Sequence, residues 1–155
     1  MAKQTGIRKQ RVVLASGVFD LLHLGHVRFL EDAKKAGGAD AKLIVIIAKD
    51  STVEKLKGRK PIMSEDQRRA LVESLKVVDE AVLGVEGLDI GEVVKKIKPD
   101  VIALGWDQAD MENEVKQYII NHNISASVVR IGKFGENTLD SSTKIRQKII
   151  DKLAK

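Results

Sequence analysis

The sequence predicts an α/β fold, a doubly wound parallel sheet of five strands in a Rossmann-like arrangement. Three observations predict it. Short β-branched apolar runs alternate with longer segments of helical periodicity along the chain. The strand-like runs are continuously apolar, as in KLIVIIA, which suits strands covered on both faces. The chain has 155 residues, 43% of them hydrophobic, the size of one domain with a real core. Residues 1–10 are expected to form a loose basic arm and residues 11–155 a single domain.

Taken in order, RVVLAS (residues 11–16) is the first strand. Val27, Leu30 and Ala33 then mark one face of a helix that begins near His26 and closes at Gly37-Gly38. KLIVIIA (42–48) is the second strand. KDSTVEKLKGRKPIM is polar, basic and loop-like. Ser64 caps the next helix, with Gln67 at the capping-box position and Leu71 and Leu75 on the inner face. DEAVLG (79–84) is the third strand, and residues 89–98 form a helix stopped by Pro99. DVIALG (100–105) is the fourth strand, 111–122 a helix, and SVVRIG (127–132) the fifth strand. The last helix starts near Ser142, with Ile145, Ile149 and Leu153 spaced by four.

Composition narrows the function. The sequence contains no cysteine, which removes disulfides, thiolate metal sites and a cysteine nucleophile, and fits a cytoplasmic location. The first ten residues lack the apolar core of a secretory signal. No apolar run approaches about 18 residues, so no membrane span is expected. The net charge of +5 favours anionic partners. Aromatic residues make up only 3% of the chain, leaving few stacking platforms for nucleic acid. Phosphorylated small molecules are the expected ligands.

In a doubly wound sheet, ligands bind beyond the carboxyl ends of the strands. The residues expected there are Gly17, Val18, Phe19, Asp20, His23, Gly25 and His26; Lys49 with the basic loop Lys55, Lys57, Arg59 and Lys60; Gly105 to Gln108; and Lys133, Gly135, Asn137 and Ser141 to Arg146. Cations, hydroxyls and glycines dominate and carboxylates are few, which suits a polyphosphate. His23 and His26, at i and i+3, face one side of a first helical turn, where free N–H groups attract anions. Gly17 is expected to let a ligand approach the backbone and Gly25 to leave room for a phosphate. The pair also admits two other readings, as metal ligands completed by a carboxylate or as ordinary surface histidines. Ser142 and Thr143 are expected to cap the last helix, and one of them to meet phosphate.

Over residues 11–146 the chain resembles the cytidylyltransferase-like branch of the HxGH nucleotidyltransferases. GVFDLLHLGH matches that branch's GxFDxxHxGH signature, and LDSSTKIR is similar to its second signature, which opens the last helix. KGRKPIMSEDQRRALVESLKVVDE and ALGWDQ are similar to its middle region and its G-x-D loop. The resemblance implies transfer of an NMP unit from a nucleoside triphosphate to a phosphorylated acceptor, releasing pyrophosphate. It implies a divalent metal, usually Mg2+, carried on the phosphates without a dedicated protein ligand set, and a homodimer. It implies catalytic roles for His23, His26, Lys60 and Arg146. Val18, Phe19, His23, Leu24, Gly25, His26, Asp107, Ser142 and Thr143 would bind the nucleotide, with Asp107 on the nucleoside. Lys49 and Arg68 would meet the acceptor.

Among subgroups, the single short domain, GRKPIMSEDQR and LGWDQ resemble archaeal-type FAD synthetases, which transfer AMP from ATP to FMN. Those enzymes commonly carry cysteines near the C-terminus. This chain has none, and Ser141 and Ser142 stand about where they are expected. CTP-dependent transfer to glycerol 3-phosphate or another small alcohol phosphate, and adenylylation of a sugar phosphate, are the alternatives. A nucleotide-sensing or nucleic-acid-binding module on the same fold is the non-enzymatic one.

Overall fold

All five apolar runs form strands of one parallel sheet. β1 (Val12–Gly17), β2 (Lys42–Ile47), β3 (Glu80–Leu83), β4 (Val101–Leu104) and β5 (Ser127–Arg130) lie in the order β3-β2-β1-β4-β5. The computed structural model describes residues 8–86, 89–135 and 139–155. Asn137, most of the expected N-terminal arm and residues 87, 88, 136 and 138 lie outside the described residues.

The period-2 alternation of strands sorts the apolar residues into two cores. Val13, Ala15, Leu43, Val45, Ile47 and Ala103 face one side and meet Leu30 and Ala33 of α1 (Leu24–Ala36) and Val72 of α3 (Glu65–Glu73). Leu14, Ile44, Ile46, Ile102 and Leu104 face the other, against Val94 of α4 (Ile90–Ile97) and Val115 of α5 (Ala109–Asn121). Both faces are dry, which is why the runs are continuously apolar. Each fully buried aliphatic side chain contributes about 2 kcal/mol against exposure.

Strand starts are fastened by carboxylates. Asp79 Oδ2 accepts the Leu43 N–H at 2.7 Å and Asp100 Oδ2 the Val12 N–H at 2.8 Å. These two aspartates sit at the amino end of the sheet, away from any ligand crevice. The crevice lies at the other end, between β1 and β4, where the chain stops adding strands on one side of β1 and begins on the other.

Three expectations need correcting. DSTVEKLK is not a loop but helix α2 (Asp50–Lys57), closed by Gly58 at φ 70° with its N–H on the Glu54 carbonyl. Only Thr52 and Val53 of α2 are buried, so its apolar stripe is too thin to register as a helical period. α3 buries Arg68 and Val72 rather than Leu71, because the Arg68 guanidinium is anchored inside, and Leu75 packs partly buried against the same core just past the helix end. α1 begins at Leu24, two residues before the expected start, which places His23 at the N-cap and His26 in the first turn. The final helix α6 (Ser142–Leu153) has no buried residue at all.

Candidate active site

The loop leaving β1 is bent sharply. Phe19 and Leu21 adopt left-handed φ values of 54° and 50°, uncommon for such bulky side chains and characteristic of loops held by their surroundings. The bend turns the Phe19 ring back over Gly17, where an added Cβ would lie 2.8 Å from it. Gly17 therefore makes room for the Phe19 ring, and it also lines the cleft. Phe19 in turn packs against His26, ring centroids 5.3 Å apart.

His23 and His26 stack at 3.7 Å between centroids, their planes 21° apart. The His23 backbone N–H donates to His26 Nδ1 at 3.3 Å. A ring nitrogen that accepts carries no proton, so neutral His26 holds its hydrogen on Nε2. Burial, with His23 and Lys57 helping and Asp20 opposing, drives the His26 pKa down to about 3. Burial also lowers that of His23, and Asp140 pulls it back. Two neutral imidazoles thus stand at the mouth of α1.

Asp20 joins the parts of the site. Its buried carboxylate accepts the N–H groups of Ile62 (2.8 Å) and Met63 (3.0 Å) from the basic loop and Arg146 Nη2 (2.6 Å) from α6. The Ser142 hydroxyl donates to its carbonyl oxygen. Burial raises its pKa and those backbone bonds, with Arg146 and Arg68, outweigh it, so the net direction is down. Sequence reasoning gave this residue no role. Its signal is a lone carboxylate inside the apolar string VFDLL, where an ionised group needs dedicated partners.

Arg68 was expected at the acceptor, and its placement is incompatible with that. It is 0% exposed, with Nε on the Met63 carbonyl at 3.0 Å, Nη1 on the Val18 carbonyl at 2.6 Å and Nη2 on Asp50 at 2.7 Å. It holds the β1 loop and the basic loop to α2 and has no donor edge left facing solvent. Lys49 is the N-cap residue of α2 and lies off the cleft wall. The Leu24 side chain is exposed and lies off the cleft wall.

The remaining expected residues meet. Val18, Phe19, His23, Gly25, His26, Lys60, Asp107, Ser142, Thr143 and Arg146 all line one cleft of about 890 Å³. Gly25 is the point of closest approach. A Cβ there would lie 2.6 Å from the Asp140 carbonyl oxygen, so this space is filled by backbone and not reserved for phosphate. The residue that caps α6 is Ser141, accepting from Lys144 N–H at 3.2 Å, which leaves Ser142 on Asp20 and Thr143 on the wall. Lys57, Arg59, Lys133 and Lys144 add positive charge. The wall also carries Asp32, Asp107, Asp110, Glu114 and Asp140, more carboxylates than the strand ends alone suggested, because α1 and α5 contribute them.

A parallel sheet with an anion-binding cleft at its switch point, two helix N-termini aimed inward and cations on both flanks defines a nucleotide-binding α/β domain. The chain belongs to the cytidylyltransferase-like family, whose pattern matches residues 14–148. It is 48% identical to the FAD synthase of Aciduliprofundum boonei over 141 residues, covering 91% of each chain. It is 50% identical to the FAD synthase of Methanothermus fervidus over 136 residues, covering 88% of this chain and 92% of that protein. Among solved structures, the lipopolysaccharide core biosynthesis protein from Thermoplasma volcanium GSS1 superposes with a TM-score of 0.73 at 45% identity, over 81% of this chain and 98% of that one.

Proposed function

We propose that the chain is an FMN adenylyltransferase, moving AMP from ATP to FMN to give FAD and pyrophosphate. The observation that carries the chemistry is the convergence, on one cleft, of the stacked imidazoles at the mouth of α1 with Ser142, Thr143 and Arg146 at the mouth of α6. The acceptor is carried by the FAD synthases to which most of the chain is similar.

In this reading an oxygen of the FMN phosphate attacks the α-phosphorus of ATP. The bond from that phosphorus to the oxygen bridging to the β-phosphate breaks, and pyrophosphate leaves. The attacking oxygen is already ionised near neutral pH, so no general base is required. The work is alignment and offsetting of negative charge. His26 Nε2–H and His23 donate to the phosphates, and Arg146, Thr143 and the α6 N-terminus hold the β- and γ-phosphates. Lys60, with Lys57 and Arg59, supplies the cations at the acceptor end in place of Arg68. Val18 and Phe19 line the nucleotide, and Asp107 meets the nucleoside. One donor to a developing oxyanion is worth about 3 kcal/mol in comparable sites.

Among the described residues no three His, Asp or Glu groups converge on a metal position. Asp20, a buried carboxylate of the cleft, spends both oxygens on protein donors. In this proposal a divalent ion, Mg2+, would be carried on the triphosphate and would offset phosphate charge there. The proposal includes a homodimer and a cytoplasmic setting. Among the described residues no helix is long and apolar enough to cross a membrane.

The test crosses ATP and CTP with FMN, glycerol 3-phosphate and a sugar phosphate, scoring pyrophosphate release. ATP with FMN is expected to react, and FAD to appear. Reaction of CTP with a small alcohol phosphate alone would overturn the flavin reading. Likeness to the solved lipopolysaccharide core biosynthesis protein makes the sugar phosphate the second reading, supported if only that acceptor is used with ATP.

A further inference from the structure

The chain has one tryptophan, and it belongs to neither core. Trp106 follows β4 on the cleft wall and is 53% exposed. Tryptophan is highly buried on average, so a ring left open beside an anion-binding cleft calls for a reason. The turn that carries it is closed twice. The Gly105 N–H donates to Gln108 Oε1 at 2.6 Å, and the Gln108 N–H donates to the Gly105 carbonyl at 3.0 Å. Lys133, which follows β5, holds Nζ 5.0 Å from the centroid of the indole, within the range of cation–π attraction. The ring is thus set in place before a ligand arrives, which keeps the ordering cost of binding low.

Charge separates the two flanks of the cleft. β2 lies on one side of β1, and β4 and β5 lie on the other. The segment after β2 brings Lys57, Arg59 and Lys60 to the wall, which suit a phosphate. The segment after β4 brings Asp107, Asp110 and Glu114 together with Trp106. Those carboxylates repel a phosphate and accept hydrogens from hydroxyl or amino groups. An uncharged flat ring bearing such groups fits that flank, as a nucleobase on its ribose does. Asp107, placed on the nucleoside in the proposed function, is the neighbour of Trp106 in the same turn.

We propose that Trp106 is the stacking platform of the nucleobase: the base lies on the indole face that Lys133 does not cover, and the phosphates run back to the mouths of α1 and α6. Lys133 fixes the ring from its first face. Every base has a π-face, so the contact adds affinity and leaves the choice among bases to other groups. This rests on the nucleoside triphosphate half of the proposed function and is independent of which acceptor is used.

A lone tryptophan makes the intact chain its own reporter. ATP does not absorb where tryptophan emits, so it cannot quench Trp106 by energy transfer from a distance. Mg-ATP is expected to quench the emission on binding. Mg-tripolyphosphate, which fills the phosphate donors without a base, is expected to leave it nearly unchanged. By calorimetry, Trp106→Leu is expected to bind Mg-ATP about tenfold more weakly and Mg-tripolyphosphate as the parent does, and Trp106→Phe to recover most of the loss. The same quench with both ligands, an equal loss for both in the Leu variant, or no loss of ATP affinity overturns the proposal. Should tripolyphosphate bind too weakly to compare, or the Leu variant fail to fold, proton NMR of the ATP-bound parent decides. Nuclear Overhauser contacts from the adenine ring to the indole support the stack, and their absence overturns it. Failure of Mg-ATP to bind at all would remove the nucleotide reading and this inference together, whereas bound ATP with a silent indole removes this inference alone. FMN, which absorbs where tryptophan emits, takes no part, so failure of the flavin reading appears separately, in the substrate matrix.

Discussion

Single residues in this cleft do two kinds of work, and burial separates them. Arg68 and Asp20 are buried and fully partnered, and they shape loops. Removing one side of such a buried charged pair costs about 3–5 kcal/mol, because the other is left uncompensated. His26 is the opposite case, a titratable group kept uncharged. Its pKa of about 3 lies below the ordinary 6.5, so between those values the folded protein binds fewer protons than the unfolded chain. Stability from this group is therefore complete above the higher value and is lost as pH falls toward the lower one. The lowered aspartates Asp20, Asp79 and Asp140 act in the same direction, but only below their ordinary value of 3.8. Urea midpoints at pH 7 and pH 5 thus isolate the imidazoles. The intact protein is expected to lose stability over that interval and His26→Gln to lose distinctly less; parallel losses would refute the assignment.

At the scale of elements, the site exists because α1 and α6 start within contact of each other although 118 residues separate Leu24 from Ser142. Gly25 permits it. Its Cβ direction points at a backbone carbonyl, which cannot swing away as a side chain would. Gly25→Ala therefore has to push the Asp140 segment from α1. Overpacking of this kind costs about 1–3 kcal/mol in stability. Misplacing the α6 donors by about 1 Å is expected to cost on the order of a hundredfold in kcat/KM. Steady-state rates beside a thermal melt check this. A variant that melts near the parent and turns over at the parent rate would show that the approach is not needed.

At the scale of the molecule, α6 is the outlier. Every other helix buries part of its surface on the sheet or under a loop. α6 touches the rest of the molecule only through its half-buried first turns, and Ile149 and Leu153 stand 49% and 82% exposed, with Ile150 beside them. The proposed homodimer gives this apolar strip a place, since such patches are costly on a monomer. Light scattering is expected to return twice the chain mass, and the double substitution Ile149→Asp with Leu153→Asp to return the single mass with the fold retained. A monomeric parent would remove the dimer from the proposal.

The sheet, its two-sided cover and the identity of the phosphate-facing segments were readable along the chain, because they depend on local periodicity and on residue types at strand ends. KLIVIIA declares a strand wrapped on both faces without reference to anything distant. α2 was not readable, because eight residues burying only Thr52 and Val53 leave no stripe, although the glycine at position 58 was a usable stop signal. The roles of Arg68, Asp20, Gly17 and Gly25 lay out of reach for another reason. An arginine in QRRAL looks the same whether it points to solvent or into Val18, and a glycine does not say which distant atom fills the space it leaves. Those contacts join residues tens of positions apart, and their partners are selected by packing, so they come into being only when the sheet brings the segments together.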